Sequence, residues 1–560
     1  MKKPLSLILC LALILSCLVS AGTAEPLPED DLSNHVDFTY WMYADDYMIY
    51  NSLDENPVVQ YLNKKFNVTI GFQTPAMGSE ADNFQTMLGT QDYTDVMNMT
   101  YCTESLNTLY NDGVILDLAP YLEQYMPNYY ALLQKNAELR RMAYDDEDHM
   151  FSLYTVEDID RNQWGGLVYR RDIVDTMTGG NPQFPSGNTE PTTVEDWDYM
   201  LPLMKQYFEA SGMPDTACLI LPAIGYTATG EIQAGWGATG IFGLSADGKT
   251  VEFGPATEYF YNYVAKMHEW YEKGYIYQDF ASRTNDLFYM PNTALTYGGA
   301  AGAWFGLLQQ LSDYMNISGD GWKLEFDVRA AAAPLDTEHG ITPELAGARV
   351  TIDQGSSPRC IAATVAEEPE KLVRILTVMD YLYSKEGSEI ADRGLTPDLA
   401  KDDPIYQRVG LEDGAWWYDA DGNYVVNPKT LEPDWPDYRM SLNGQRINGG
   451  TDESRPRPVN KPRTYHDDAE DEGARVWTQY PATRVFSTTA ISMNEKETEQ
   501  ANKYYGRLND YVNSMIPKFI LGTEELTPES WQEYLDMLNQ LGLQEVLEAR
   551  QSSYDRYLSR

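Results

Sequence analysis

Residues 151–172 read FSLYTVEDIDRNQWGGLVYRRD. A polar break here separates two patterned regions, with Trp164 beside it, and a strand resumes at Leu167–Tyr169. The stretch reads as the point where a chain that has completed one α/β lobe crosses into a second. Pockets between lobes are where small ligands usually bind. The expectation is a closing clamp rather than a catalyst, with aromatic side chains as grips.

The bulk composition agrees with that outline. At 560 residues the chain is too long for one core. Its 41 Lys and Arg against 85 Asp and Glu leave a net charge of −44, which repels phosphate backbones and argues against a nucleic-acid partner. Most of that charge is accounted for by an acidic, solvated surface. Lys2 and Lys3, the apolar run Leu5–Val19 and the small residues Ser20–Ala24 form an export signal, with cleavage expected before Glu25. Within it, Ile14-Leu15-Ser16-Cys17 approximates a lipobox. Lipidation of Cys17 therefore competes with simple cleavage, although Leu15 is bulkier than that motif favours. Cys102, Cys218 and Cys360 are odd in number and widely spaced, so no disulfide framework is implied and each reads as a small buried residue.

Working back from the crossing, Val36–Met42 reads as a strand ending near Trp41, and Asn56-Pro57 opens a helix over VVQYLNKKF. Val68–Phe72 and Asp95–Tyr101 are further strands, the latter leaving Asn98, Thr100 and Tyr101 at its carboxyl end. Strand alternating with helix predicts a parallel α/β lobe. NPVVQYLNKKFNVTIGFQTP (56–75), NFQTMLGTQDYTDVM (83–97) and LYNDGVILDLAPYLEQYMPN (109–128), in that order, resemble the first lobe of the extracellular solute-binding proteins of bacterial ABC importers. The similarity is greatest to the large subfamily that includes the alginate-binding and LipO-like proteins. KMHEWYEKGYIYQDF (266–280), VMDYLYSKEGSEIADRGL (378–395) and the C-terminal segment from Lys518 extend it over nearly the whole chain.

The resemblance implies a two-lobed, periplasmic-binding-protein-like (Venus-flytrap) α/β fold with an interlobe cleft and several hinge crossings. The expected division is a signal peptide over 1–24, first lobe over 25–158, second lobe over 159–327, a return to the first over 328–358, and mainly second lobe over 359–560. Val328–Arg329 and Gly355–Arg359 are the further crossings, and Asp158, Asp160 and Arg161 are expected to set the open–closed balance. Residues 394–480 read as a loop-rich insertion and two helices as the C-terminal end. In the second lobe, Thr192-Thr193-Val194-Glu195 has a capping-box pattern. Tyr259 to Tyr271 carries a core stripe at helical spacing. In TALTYGGAAGAW (293–304) an extended run reaches Tyr297, and Trp304 begins a helix.

Catalytic constellations are missing from the sequence. The five histidines are scattered, and neither a G-x-S-x-G elbow nor a P-loop occurs. Asp419-Ala420-Asp421-Gly422-Asn423 imitates part of a calcium loop but has Tyr424 where that loop needs glycine, so it reads as a D-G turn. Neither a cofactor nor a metal is expected. Twelve Trp and 41 Tyr suit a ligand with apolar C–H faces and a hydroxyl rim, which describes an oligosaccharide. Most of these rings belong to the core. Trp41, Tyr101, Trp164, Trp236, Tyr297 and Trp304 are singled out because they sit at strand ends or Gly-rich loops, and Arg359 as a charged grip. By resemblance the protein is a monomeric binding subunit that delivers its solute to ABC permease transmembrane subunits at the outer face of the bacterial cytoplasmic membrane. Peptide or other polar-solute binding, a secreted glycan-active enzyme, and an adhesion or signalling role are the competing readings.

Overall fold

The computed structural model describes residues 27–560 apart from 44–48, 51, 157–164, 214, 229, 283–292, 312–314, 317–322, 325, 348–354, 432–441, 451–455, 464 and 489. Its contacts divide the chain into two units, Met1–Val156 with Ser356–Asn460 and Glu157–Gly355 with Lys461–Arg560. Along the chain, β1 (Val36–Trp41), β2 (Val68–Gln73), β3 (Val96–Asn98) and β4 (Leu153–Val156) come first. They are followed by β5 (Gly165–Arg170), β6 (Ala217–Leu219), β7 (Phe242–Leu244), β8 (Val251–Phe253), β9 (Ala301–Leu307), β10 (Met315–Asn316), β11 (Lys323–Leu324) and β12 (Val328–Ala330). The last are β13 (Gly355–Ile361), β14 (Trp416–Tyr418) and β15 (Tyr424–Val426).

The first unit is built on the sheet β2-β1-β3-β13-β4. β1 runs parallel to β2 and β3, whereas β13 is antiparallel to β3 with Arg359 opposite Asn98. The helix Pro57–Phe66 starts where the sequence requires it: the Asn56 side chain accepts from the Val58 and Val59 N–H groups, and Pro57 occupies the first turn. Helix Pro369–Tyr381 packs on β1 and buries Leu372, Ile375, Leu376 and Met379 at helical spacing. That helix also buries Arg374, whose guanidinium reaches the Asp30 carboxylate and four backbone carbonyls. β14 and β15 form a hairpin whose turn is the expected D-G turn: Gly422 has φ 80°, and Asp419 accepts from the backbone N–H groups of Asp421 and Asn423.

The second unit carries the sheet β12-β5-β9-β6, with β5 antiparallel to β9 and β12 and β6 parallel to β9. Thr193 caps helix Val194–Ser211 in a reciprocal box, closed by Asp196 rather than by Glu195. Helix Glu258–Glu272 buries Phe260, Tyr263, Val264, Met267 and Trp270, as its periodicity demands.

Several expected boundaries are corrected. Val328–Ala330 does not return to the first unit, because it is hydrogen-bonded along β5 in the second unit's sheet. Residues 359–460, read as mainly second lobe, belong with 356–358 to the first unit, and the third crossing falls at 460/461. Within the loop-rich stretch, Tyr465–Trp477 is a helix that packs on β12, so the acidic run 467–472 lies on a helix, with Asp467 buried and paired to Lys461. Trp304 lies inside β9 and Tyr297 follows the short helix Thr293–Thr296, the reverse of the expected order. Small residues between apolar ones permit either reading locally. The pairing of β9 with β5 and β6 decides it.

The C-terminus has three helices rather than two: Glu495–Leu521, Pro528–Gln540 and Leu543–Ser559. Glu497 closes the capping box of the first and pairs with Arg556 of the third. Burial raises the pKa of its carboxyl group, but hydrogen bonds from Arg556, Ser552 and the Asn494 backbone outweigh that and leave the pKa below the ordinary value. A lowered native pKa adds stability that is present above the unfolded value, about 4.3, and is lost as pH falls through the native value. Glu497→Gln is therefore expected to be less stable than the parent at pH 7, with the gap closing in acid. Denaturant unfolding across that range checks it, and a gap independent of pH would contradict it.

Candidate ligand-binding site

In the first unit the carboxyl ends of β1 and β3 hold an aromatic cluster. The backbone N–H of Thr100 donates to Asn98 Oδ1 and that of Cys102 to the Met99 carbonyl, a tight turn that sets Tyr101 just past β3. Tyr101 and Tyr43 meet edge to face at 5.3 Å between centroids. The Arg446 guanidinium lies 4.5 Å from the Tyr43 ring centroid and donates to its hydroxyl at 3.0 Å. Tyr43, Tyr101 and Arg446 are all half-buried, so these two rings and a cation remain partly open to solvent. Trp41 underlies them: it packs edge to face on Phe84 and donates from Nε1 to Asn83 Oδ1 at 2.8 Å. Such sheet ends are the usual ligand position in open α/β folds.

In the second unit the equivalent feature is a glutamine-centred network where β9 ends and β5 begins. Gln310 Oε1 accepts from Trp304 Nε1 at 3.1 Å and from the Leu307 N–H at 3.0 Å, while its amide nitrogen donates to the Tyr297 hydroxyl at 3.4 Å. Tyr297 is half-buried; Trp304 and Gln310 are buried. Gly165, paired with Leu307, begins β5 at this end.

The seven ligand-contact residues expected from the sequence are thus distributed unevenly. Tyr101 stands just past β3 and is half-buried, whereas Tyr297, four residues before β9, is half-buried and packs against the second unit's core. Trp41, Trp236 and Trp304 are core residues of their own units. Trp236 is wedged edge to face between Tyr263 and Trp270, and Trp304 packs with Val168, Leu311 and Trp477. Arg359 is buried in the first unit, its guanidinium held by Thr155 and the Asn448 carbonyl. Trp164, Asp158, Asp160, Arg161 and Cys17 lie outside the described residues. Tyr43 and Arg446 were missed. Tyr43 follows the end of β1 by two positions, a usable signal, whereas Arg446 sits in a segment without periodicity.

Catalytic chemistry finds little support among the described residues. Burial pushes the Cys218 thiol up to about 12, the Cys102 thiol to about 11 and the Cys360 thiol well above its ordinary value. None is a ready nucleophile at neutral pH. No cluster of three metal-ligating side chains occurs among the described residues, and none of their helices is long and apolar enough to span a membrane.

Close to the first crossing-back point, Ser357 in β13 has φ 44°, and the next residue, Pro358, offers its carbonyl to the Met99 N–H. A β-branched side chain is strongly disfavoured in the left-handed region. Ser357→Val is expected to cost about 1–2 kcal/mol, and Ser357→Gly to be nearly neutral. Equal losses in the two variants, measured by thermal unfolding, would show that the side chain rather than the backbone angle matters.

Two α/β units assembled from interleaved chain segments make up the chain, and the fold is that of solved solute-binding proteins. No family model matches the chain, and no curated protein matches it significantly. Solved structures do. An extracellular solute-binding protein from Bifidobacterium longum subsp. infantis matches at TM-score 0.70 and 17% identity, covering 94% of this chain and 100% of that one. An HMO-binding, ABC-transporter-associated solute-binding protein from Bifidobacterium longum infantis matches at TM-score 0.68 and 15% identity over 93% and 99% of the two chains. The S. pneumoniae ABC-transporter substrate-binding protein FusA, in complex with kestose, matches at 0.65 and 15% over 93% and 99%. At such identities the fold is what is shared.

Proposed function

We propose that this chain is the substrate-binding subunit of an ABC importer and that it captures an oligosaccharide. The observation that carries the reading is the half-buried Tyr43–Tyr101 pair with Arg446 at the carboxyl ends of β1 and β3. The faces of sugar rings stack on such rings while their hydroxyls take hydrogen bonds from a guanidinium. The reading is supported by the shared fold of an HMO-binding protein and of a kestose complex. The solute would pass to permease transmembrane subunits. The protein would act as a monomer without a cofactor at the outer face of the bacterial cytoplasmic membrane, either freed by cleavage before Glu25 or anchored through Cys17.

Capture at micromolar affinity corresponds to about −8 kcal/mol, within reach of a few stacked rings and their hydrogen bonds. A thermal-shift screen over oligosaccharides tests the proposal, since a ligand of the native state raises apparent stability. Saturable binding of peptides without any sugar response would overturn it in favour of a peptide carrier. New reducing ends after incubation with polysaccharides would point instead to an enzyme.

A further inference from the structure

Strand alternation and register put Tyr40, Asn98 and Arg359 on one face of the first unit's sheet. Tyr40 lies opposite Val96, Arg359 lies opposite Asn98, and positions 96 and 98 share a face. Arg359 is only 1% exposed. One terminal nitrogen, Nη2, donates to Thr155 Oγ1 and to the Asn448 carbonyl, both uncharged. Among the described residues its Nε and Nη1 have no acceptor, and neither does the buried Tyr40 hydroxyl.

The surrounding groups are already committed. The Tyr129 hydroxyl accepts from the Tyr154 N–H, and the Tyr383 hydroxyl donates to the Tyr154 carbonyl. The Asp380 carboxylate is taken up by Asn128 and by the Tyr129 N–H. Among the described residues no carboxylate pairs with Arg359. Its positive charge nevertheless acts on Tyr40, Tyr129 and Tyr383, each of which burial holds above the ordinary tyrosine pKa. A guanidinium buried without a counter-charge is strongly unfavourable.

We propose that Arg359 Nε and Nη1, together with the Tyr40 hydroxyl, hold a small monovalent anion of halide size inside the first unit. Water fits less well, because it must place two protons of its own among groups that are nearly all donors. An acceptor-only anion has no such requirement. The chain's net charge of −44 opposes anions at the surface, but a buried guanidinium at contact distance outweighs that diffuse field.

Crystals grown in sodium bromide and measured at the bromine edge are expected to show an anomalous peak within hydrogen-bonding reach of Arg359 and Tyr40. In solution, replacing sodium methanesulfonate by sodium bromide or chloride at fixed ionic strength is expected to raise the melting temperature. Tyr40→Phe should reduce that rise by half or more, and Arg359→Met should abolish it. If Arg359→Met fails to fold, Tyr40→Phe alone decides the matter. Density at the site without an anomalous signal, or a melting temperature indifferent to halide, would overturn the proposal. Neither result depends on which solute the protein carries.

Discussion

Replacing Arg374 by Met is expected to lower the unfolding free energy by about 3–5 kcal/mol, the usual cost of breaking a buried ion pair from one side. Arg374 is 1% exposed and donates to Asp30 Oδ1 at 2.7 Å. Its other nitrogens reach the carbonyls of Asp31 at 2.7 Å, Asn34 at 3.1 Å, Phe66 at 2.6 Å and Asn67 at 3.2 Å. One guanidinium thus joins the helix Pro369–Tyr381 to the segment entering β1 and to the end of the helix Pro57–Phe66. Removing it takes the guanidinium from the Asp30 carboxylate and a donor from each of the four carbonyls, of which those of Asp31 and Asn67 keep a backbone N–H, from Asn34 and Val36. Lysine retains the charge but not the planar fork, so Arg374→Lys should recover only part of the loss. Urea unfolding measures both, and a loss below about 1 kcal/mol for Arg374→Met would show that solvent replaces the contacts.

Tyr101→Ala is expected to weaken oligosaccharide binding by tenfold or more, about 1.4 kcal/mol, with little change in stability because the ring is half-buried at the surface of the first unit. Trp41→Ala is the informative contrast. That indole is 1% exposed, packs on Phe84 and is hydrogen-bonded to Asn83, so its removal should cost about 3–5 kcal/mol of stability. Calorimetric titration with a sugar that scores in the thermal-shift screen, alongside unfolding of both variants, separates the roles. Normal affinity in Tyr101→Ala would remove the first unit's aromatic pair from the site.

Much of the fold was legible where local chemistry and tertiary need coincide. Asn56-Pro57 both caps and starts its helix, and the stripe from Phe260 to Trp270 is both helical and buried. Legibility failed where pairing partners are remote. Nothing around Val328 announces that it hydrogen-bonds along β5, and nothing around Trp304 says that neighbours on both sides hold it extended. The same limit applied to the site. Strand ends pointed to Tyr101, but Trp41 satisfies the same criterion and Trp236 that of a Gly-rich loop, and both are buried, because a large ring at such a place serves a core as readily as a ligand. Arg446 comes from a stretch with no period to read, and only the folded chain brings it to Tyr43.

The position of β13 has a consequence for how the protein is made. It stands between β3 and β4, so the place beside the edge strand β4 stays unfilled until the chain has passed through every strand from β5 to β12. Joining residue 98 to residue 359 requires closing a long loop before any contact repays it, and sheets completed by such distant pairings form slowly. Until then β3 and β4 keep open edges, which are the ordinary starting points for aggregation. On the proposed export route, a chain whose interior strand β13 arrives late would stay threadable during transfer and would depend on chaperones to shield those edges.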